Sequence, residues 1–119
     1  LNNEVIFIKS DGTPKRSYLY MADLVIWLLT ILINGENKEA YNVGSDISLS
    51  ITKLAQAVQL HFPESPIQIL QKPLPDRLPE RYVPSIEKAK NELGLKVITS
   101  LDQALEKTIK QILHSRNSD

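Results

Sequence analysis

Three arginines have the type and placement that best suit chemistry on a bound ligand: Arg16, Arg77 and Arg81. Arg16 follows the turn Asp11-Gly12-Thr13-Pro14 and leads into a short strand, so a rigid element would carry its side chain. Arg77 and Arg81 lie in a proline-rich loop, with Tyr82 beside Arg81. A guanidinium donates two parallel, charge-assisted hydrogen bonds in a planar fork, which suits phosphate. Two arginines reaching from separate loops could clamp a diphosphate. The other reading is that they are solvated or paired with Asp76 and Glu80, and the residue inventory alone favours that reading.

Other chemistries find little support. The chain has no cysteine, which removes disulfide frameworks, thiolate zinc sites and cysteine nucleophiles. The two histidines, His61 and His114, are far apart and each sits near a predicted helix end, where a surface role outweighs a metal site or a relay. The four glycines, at 12, 35, 44 and 94, are too scattered for a dinucleotide fingerprint or a Walker loop. No hydrolase triad can be assembled from the serines, aspartates and histidines. Tyr18 and Tyr20 read as core or edge-strand residues rather than ligands. By inventory, the chain carries no self-sufficient catalytic site.

Composition narrows the classes further. Fourteen basic residues balance fourteen acidic ones in a chain of 119, whereas nucleic-acid binders normally carry a basic excess. The same balance disfavours attachment to an anionic membrane surface. Hydrophobic residues make up 42%, enough for a packed core and too many for a disordered tail. The length suits one domain, expected over residues 1–113, with a polar tail at 114–119 that frays. The chain starts at Leu1 without a methionine, a basic leader or a cleavage site. That points to a start further upstream or a removed tag, and to no signal peptide. Absent cysteines fit a cytoplasmic protein.

The elements that must position the arginines read as short strands alternating with helices, an α/β or mixed α+β domain. Val5 to Ile8 reads as a strand, Tyr18 to Tyr20 as a second, Ala40 to Val43 as a third and Ile67 to Leu70 as a fourth. A helix follows Asp23, whose carboxylate complements the macrodipole, and Asn34-Gly35 stops it. Ser50 looks like the N-cap of a second helix whose buried face is Ile51, Leu54, Ala55 and Val58. Prolines 73, 75, 79 and 84 make the next stretch an extended loop with few ladder bonds. Ser85 would cap a short helix ending at Gly94. Ser100 and Gln103 form a capping-box pattern for the last helix, with Leu101, Ala104, Leu105, Ile109, Ile112 and Leu113 inward. The run from Met21 to Ile33 is too short to span a bilayer. It is also apolar almost all round, so either it forms the centre of the domain or part of its cover lies elsewhere.

The stretch Asp11 to Leu24, with Gly12, Arg16, Tyr18, Tyr20 and Asp23, resembles a segment of the extended short-chain dehydrogenase/reductases, the NAD-dependent nucleotide-sugar epimerases and dehydratases. Three further pieces resemble that family in the same order: Glu39 to Ser45 with its Tyr-Asn-Val-Gly-Ser, the helix from Ser50, and Arg81-Tyr82-Val83-Pro84-Ser85 through Glu92-Leu93-Gly94-Leu95. Ser100 to Ile112 is similar to the closing helix. The chain departs at Pro14, Ser85 and Leu95, where Gln, Asp and Trp are common in the family. The nearest likeness is to the dTDP-glucose 4,6-dehydratase-like and UDP-sugar epimerase or decarboxylase groups.

The resemblance implies the small substrate-binding lobe of a Rossmann-type enzyme, with short strands and about four helices. It carries Arg16 over as a ligand of the nucleotide-sugar diphosphate, with Arg81, or Arg77 in its place, as the second. In the parent enzyme NAD would take a hydride from the sugar C4, assisted by a tyrosine base. The glycine-rich loop and the Tyr-x-x-x-Lys pair of that chemistry do not occur in these residues. The expected partners are therefore a nucleotide-diphosphate sugar and an N-terminal NAD-binding lobe, in a homodimeric parent. No turnover and no cofactor site are expected of this chain alone. The alternative is a stand-alone, non-catalytic binding or interaction module derived from such a lobe.

Overall fold

The computed structural model describes residues 4–118. In chain order the elements are β1 (Ile6–Ile8), β2 (Lys15–Arg16), α1 (Met21–Asn34), β3 (Leu49–Ser50), α2 (Ile51–Gln59), β4 (Ile67–Ile69), β5 (Arg81–Tyr82), α3 (Glu87–Leu93) and α4 (Leu101–Asn117). This is the mixed α/β arrangement of short strands with four helices that the sequence implies. Among the described residues no helix is long and apolar enough to cross a membrane.

The chain forms two compact units, each assembled from two separate stretches. Among the described residues, the first combines 4–16 with 48–83. There β1 and β4 pair in parallel, Ile6 opposite Ile67 and Ile8 opposite Ile69. A second ribbon has the order β3-β2-β5, with β2 antiparallel to β3 and parallel to β5. Helix α2 starts where β3 ends, and its amphipathic face buries Ala55 in the unit that also buries Ile8. Its first turn is fully satisfied: Ile51 N–H bonds the Pro14 carbonyl, Thr52 N–H the Gly12 carbonyl, and Lys53 N–H the Ser50 hydroxyl. Gly12 makes this possible with φ of +78°, a left-handed turn that lets its carbonyl also accept from the Thr52 hydroxyl at 2.9 Å.

The second unit combines, among the described residues, 17–47 with 84–118. Its core is Trp27, fully buried, against Ile86, Ala89 and Leu95, with Leu19, Ile31, Tyr41, Val43 and Leu93 packed around them. The indole N–H donates to the Lys96 carbonyl at 3.0 Å, so the one polar atom of this side chain is paired. Asp23 is buried beside it and accepts from Ile98 N–H, Thr99 N–H and the Thr99 hydroxyl. That fixes the segment leading into α4, which opens with the expected capping box of Ser100 and Gln103.

Several local expectations change. The second strand falls at Lys15–Arg16, because its main chain pairs with β3 and β5, while Tyr20 instead stands at the N-terminus of α1 in extended conformation. Residues 40–43 form no ladder: Tyr41 and Val43 pack on the Trp27 core, and Ala40 gives its carbonyl to Lys88. Ser85 does not cap α3; Ile86 occupies that position and Gly94 ends the helix in the left-handed conformation. On α4, Leu101, Ala104, Leu105 and Ile109 are half-buried, Ile112 and Leu113 exposed, and the helix continues to Asn117. Helix α1 has the composition of a covered helix but not the cover. Only Asp23 and Trp27 are buried, while Leu32 and Ile33 are 80% and 75% exposed, and Met21, Val25, Leu28 and Leu29 are exposed with them.

Candidate functional site

Arg16 closes β2, held on both sides by the three-stranded ribbon of the first unit. Its guanidinium donates to the Glu80 carboxylate at 3.0 Å and to the Lys15 carbonyl at 3.0 Å. The Tyr82 ring lies 5.6 Å away, within cation–π range. The backbone of Glu80 is itself fixed, since Lys15 N–H donates to its carbonyl at 2.7 Å. Arg16 and Glu80 both line an apolar groove of about 550 Å³ whose walls include Ile6, Ile8, Leu54, Ala55 and Val58.

Register decides which arginines share a face. Arg16 pairs with Tyr82 and Lys15 with Arg81 across the parallel strands. Paired residues point the same way and neighbours along a strand point oppositely, so Arg81 stands with Lys15 on the face away from Arg16. Arg77 instead lines a smaller cleft of about 210 Å³ with Ser10, Asp11, Gln71 and Glu80. Glu80 therefore borders both the groove of Arg16 and the cleft of Arg77. Asp11 adds to the field there. The Thr13 hydroxyl at 2.6 Å, then Thr13 N–H at 2.9 Å, and to a lesser degree the charge of Arg77, hold its carboxyl below the ordinary aspartate value.

The pairing of Arg16 with Glu80 was legible as a possibility in the residue inventory. Tyr82 as the aromatic partner of Arg16 was not, because only the strand register reveals it. The histidines take no part: His61 follows α2, and His114 lies on α4 with its carbonyl accepting from Ser118. Tyr20 stacks under the Lys107 ammonium at 5.5 Å.

The start of α2 is not open to a dinucleotide pyrophosphate. A dinucleotide pyrophosphate needs free N–H groups at a helix start reached through a glycine-rich turn. Helix α2, which directly follows a strand, has its first three N–H groups already bonded within the chain.

The chain is 31% identical over 123 aligned residues to UDP-glucuronic acid decarboxylase 1 from Danio rerio, covering 99% of the chain and 29% of that protein. It superposes on UDP-glucose 4-epimerase from Thermotoga maritima, solved with UDP-glucose, with a TM-score of 0.78 and 23% identity, over 95% of the chain and 36% of the enzyme. The enzyme WbmF from Bordetella bronchiseptica, solved with NADH, matches with a TM-score of 0.72 and 27% identity, over 87% of the chain and 30% of that enzyme. This chain belongs to the NAD-dependent epimerase/dehydratase family. No protein-family profile matches it, so the membership rests on these full-span likenesses. The epimerase/dehydratase chain spans about a third of the length of the relatives it matches. Its mixed α/β architecture is the fold of the corresponding third of those Rossmann-type enzymes.

Proposed function

We propose that this chain is the nucleotide-sugar-binding part of an NAD-dependent epimerase, dehydratase or decarboxylase, and that it binds the diphosphate without carrying out the chemistry. The observation that carries the reading is Arg16, held by a strand, a carboxylate and an aromatic ring beside an apolar groove large enough for part of a nucleotide. Arg77, in the cleft that shares Glu80, is the second arginine of the proposal; Arg81, on the opposite face of the ribbon, has no part in it. The relatives supply the substrate class, since one is named for UDP-glucuronic acid and another was solved with UDP-glucose.

The NAD chemistry belongs in this proposal to a separate lobe, and the relatives, about three times this length, have room for one. The bare apolar face of α1 supports such a partner, because a helix apolar all round is stable in water only when covered. The chain then orients the substrate and contributes binding energy rather than an acid, base or nucleophile. The dTDP-glucose 4,6-dehydratase group is the member we favour, and a homodimeric, cytoplasmic parent goes with it.

The test follows amide and guanidinium resonances while UDP, dTDP, CDP and GDP are added separately. Shifts centred on Arg16 and Arg77 support the reading, and a chain whose Arg16 signals do not move at millimolar ligand counts against it. An immunoblot of source cells with an antibody to this chain adds an independent check. A band two to three times 13.5 kDa places the chain in a two-lobe enzyme, while a band at 13.5 kDa points to a free-standing binding module.

A further inference from the structure

Arg16 does not wait as a bare cation. Its guanidinium is engaged by Glu80 at 3.0 Å, and the side chains are 34% and 58% exposed, so the pair can open without disturbing the ribbon beneath it. The bonds to Glu80 and to the Lys15 carbonyl use two of its five N–H donors. The Tyr82 ring and the Glu80 main chain limit where the cation can go. Arg16 and Glu80 together give this corner of the groove no net charge, and an arriving anion meets a competitor already in place.

We propose that Glu80 is an autoinhibitory contact that neutralises Arg16 in the free chain, must be displaced by any anionic ligand, and so weakens all of them by a similar factor. The proposal rests on the reading of Arg16 as a diphosphate ligand and adds what holds that seat before the ligand comes. A small anion and a diphosphate meet the same carboxylate, and each must break the same contact to reach Arg16. A diphosphate whose attached groups also lie in the apolar groove gains enough to win the guanidinium. The carboxylate swings off Arg16 when the ligand arrives.

The test is calorimetric titration of inorganic pyrophosphate and of orthophosphate into the 119-residue chain at low ionic strength. The wild type is compared with Glu80→Gln, Glu80→Asp and the double variant Glu80→Gln/Arg16→Ala. Removing one negative charge a few ångströms from the anion should tighten pyrophosphate about five- to tenfold in Glu80→Gln. Orthophosphate should gain by a similar factor, and the double variant should lose the gain. Glu80→Asp keeps the charge, so it should stay within about twofold of the wild type. Circular dichroism confirms that each variant is folded, and if Glu80→Gln is not, Glu80→Ala takes its place in the same comparison. Equal, Arg16-dependent binding by the wild type and Glu80→Gln overturns the role of Glu80 and leaves Arg16 as a ligand. Weaker binding by Glu80→Gln makes Glu80 a support for Arg16 and also overturns the proposal. Binding that ignores Arg16, or none in any variant, overturns the diphosphate reading and this proposal with it.

Discussion

The carboxylate of Asp23 and the hydroxyl and N–H of Thr99, 76 positions apart in the chain, are joined by bonds of 3.0 and 2.8 Å. With Ile98 N–H, Asp23 satisfies two main-chain donors in a place closed to water, and so connects the first turn of α1 to the entry of α4. Asp23→Ala leaves those donors without a partner and should cost about 2–4 kcal/mol. Urea unfolding followed by the fluorescence of Trp27, the sole tryptophan and fully buried, reads the loss directly. A cost below about 0.5 kcal/mol, the range of an ordinary surface change, would contradict this account.

Two left-handed glycines should respond differently to alanine. At Gly12 a Cβ would lie 2.1 Å from the Thr52 hydroxyl oxygen, in the turn that satisfies the start of α2. At Gly94 nothing lies within 4 Å, so only the backbone penalty applies. We expect Gly94→Ala to cost about 1 kcal/mol and Gly12→Ala at least about 2 kcal/mol. The order of their unfolding midpoints is the check, and a reversal would be incompatible with the Gly12–Thr52 contact.

Acid should act through Asp11. Its carboxyl titrates below the ordinary value, chiefly because of the Thr13 hydroxyl and then Thr13 N–H. A lowered folded value means that its contribution to stability is present above the unfolded aspartate range, near pH 4, and is lost as pH falls through the folded value. Thr13→Val removes the larger cause and keeps the backbone bond, so the Asp11 midpoint should rise part of the way back. A carbon-detected titration of the Asp11 carboxyl measures it, and an unmoved midpoint would show that the hydroxyl is not the cause.

The uncovered face of α1 makes a prediction of its own. Leu32 and Ile33 are largely exposed, so Leu32→Lys with Ile33→Lys should change the stability of this chain by no more than about 0.5 kcal/mol per site. The same pair should reduce self-association in sedimentation, because it breaks a continuous apolar surface. In the full enzyme of the proposal it should instead weaken lobe docking and lower the yield of folded protein. A large loss of stability in the isolated chain would mean that these side chains are already covered.

What the sequence disclosed depended on how local the signal was. The Ser50 cap and the Ser100–Gln103 box involve side chains within three residues of the groups they satisfy, and both are found where the sequence places them. Strands of two residues carry no periodicity, so the pattern points to Tyr18–Tyr20 rather than Lys15–Arg16 for the second strand, and to a ladder at residues 40–43 that the structure lacks. Asp23 was legible as a helix-start carboxylate but not as the partner of Thr99, a contact that only tertiary structure supplies. At the candidate site, Arg16 could be singled out from the turn before it. The separation of Arg81 from Arg16 needed the register of β2 against β5, which hydrophobic pattern does not specify for such short pieces.

The order in which the core of the second unit is made has its own consequence. Trp27 and the rest of α1 are translated about 60 residues before Ile86, Ala89 and Leu95, against which Trp27 packs. At roughly 5–20 residues per second, Trp27 would wait on the order of 3–12 s for those partners. During that interval the indole has no core to enter, so the centre of the second unit closes only when the last third of the chain has been made.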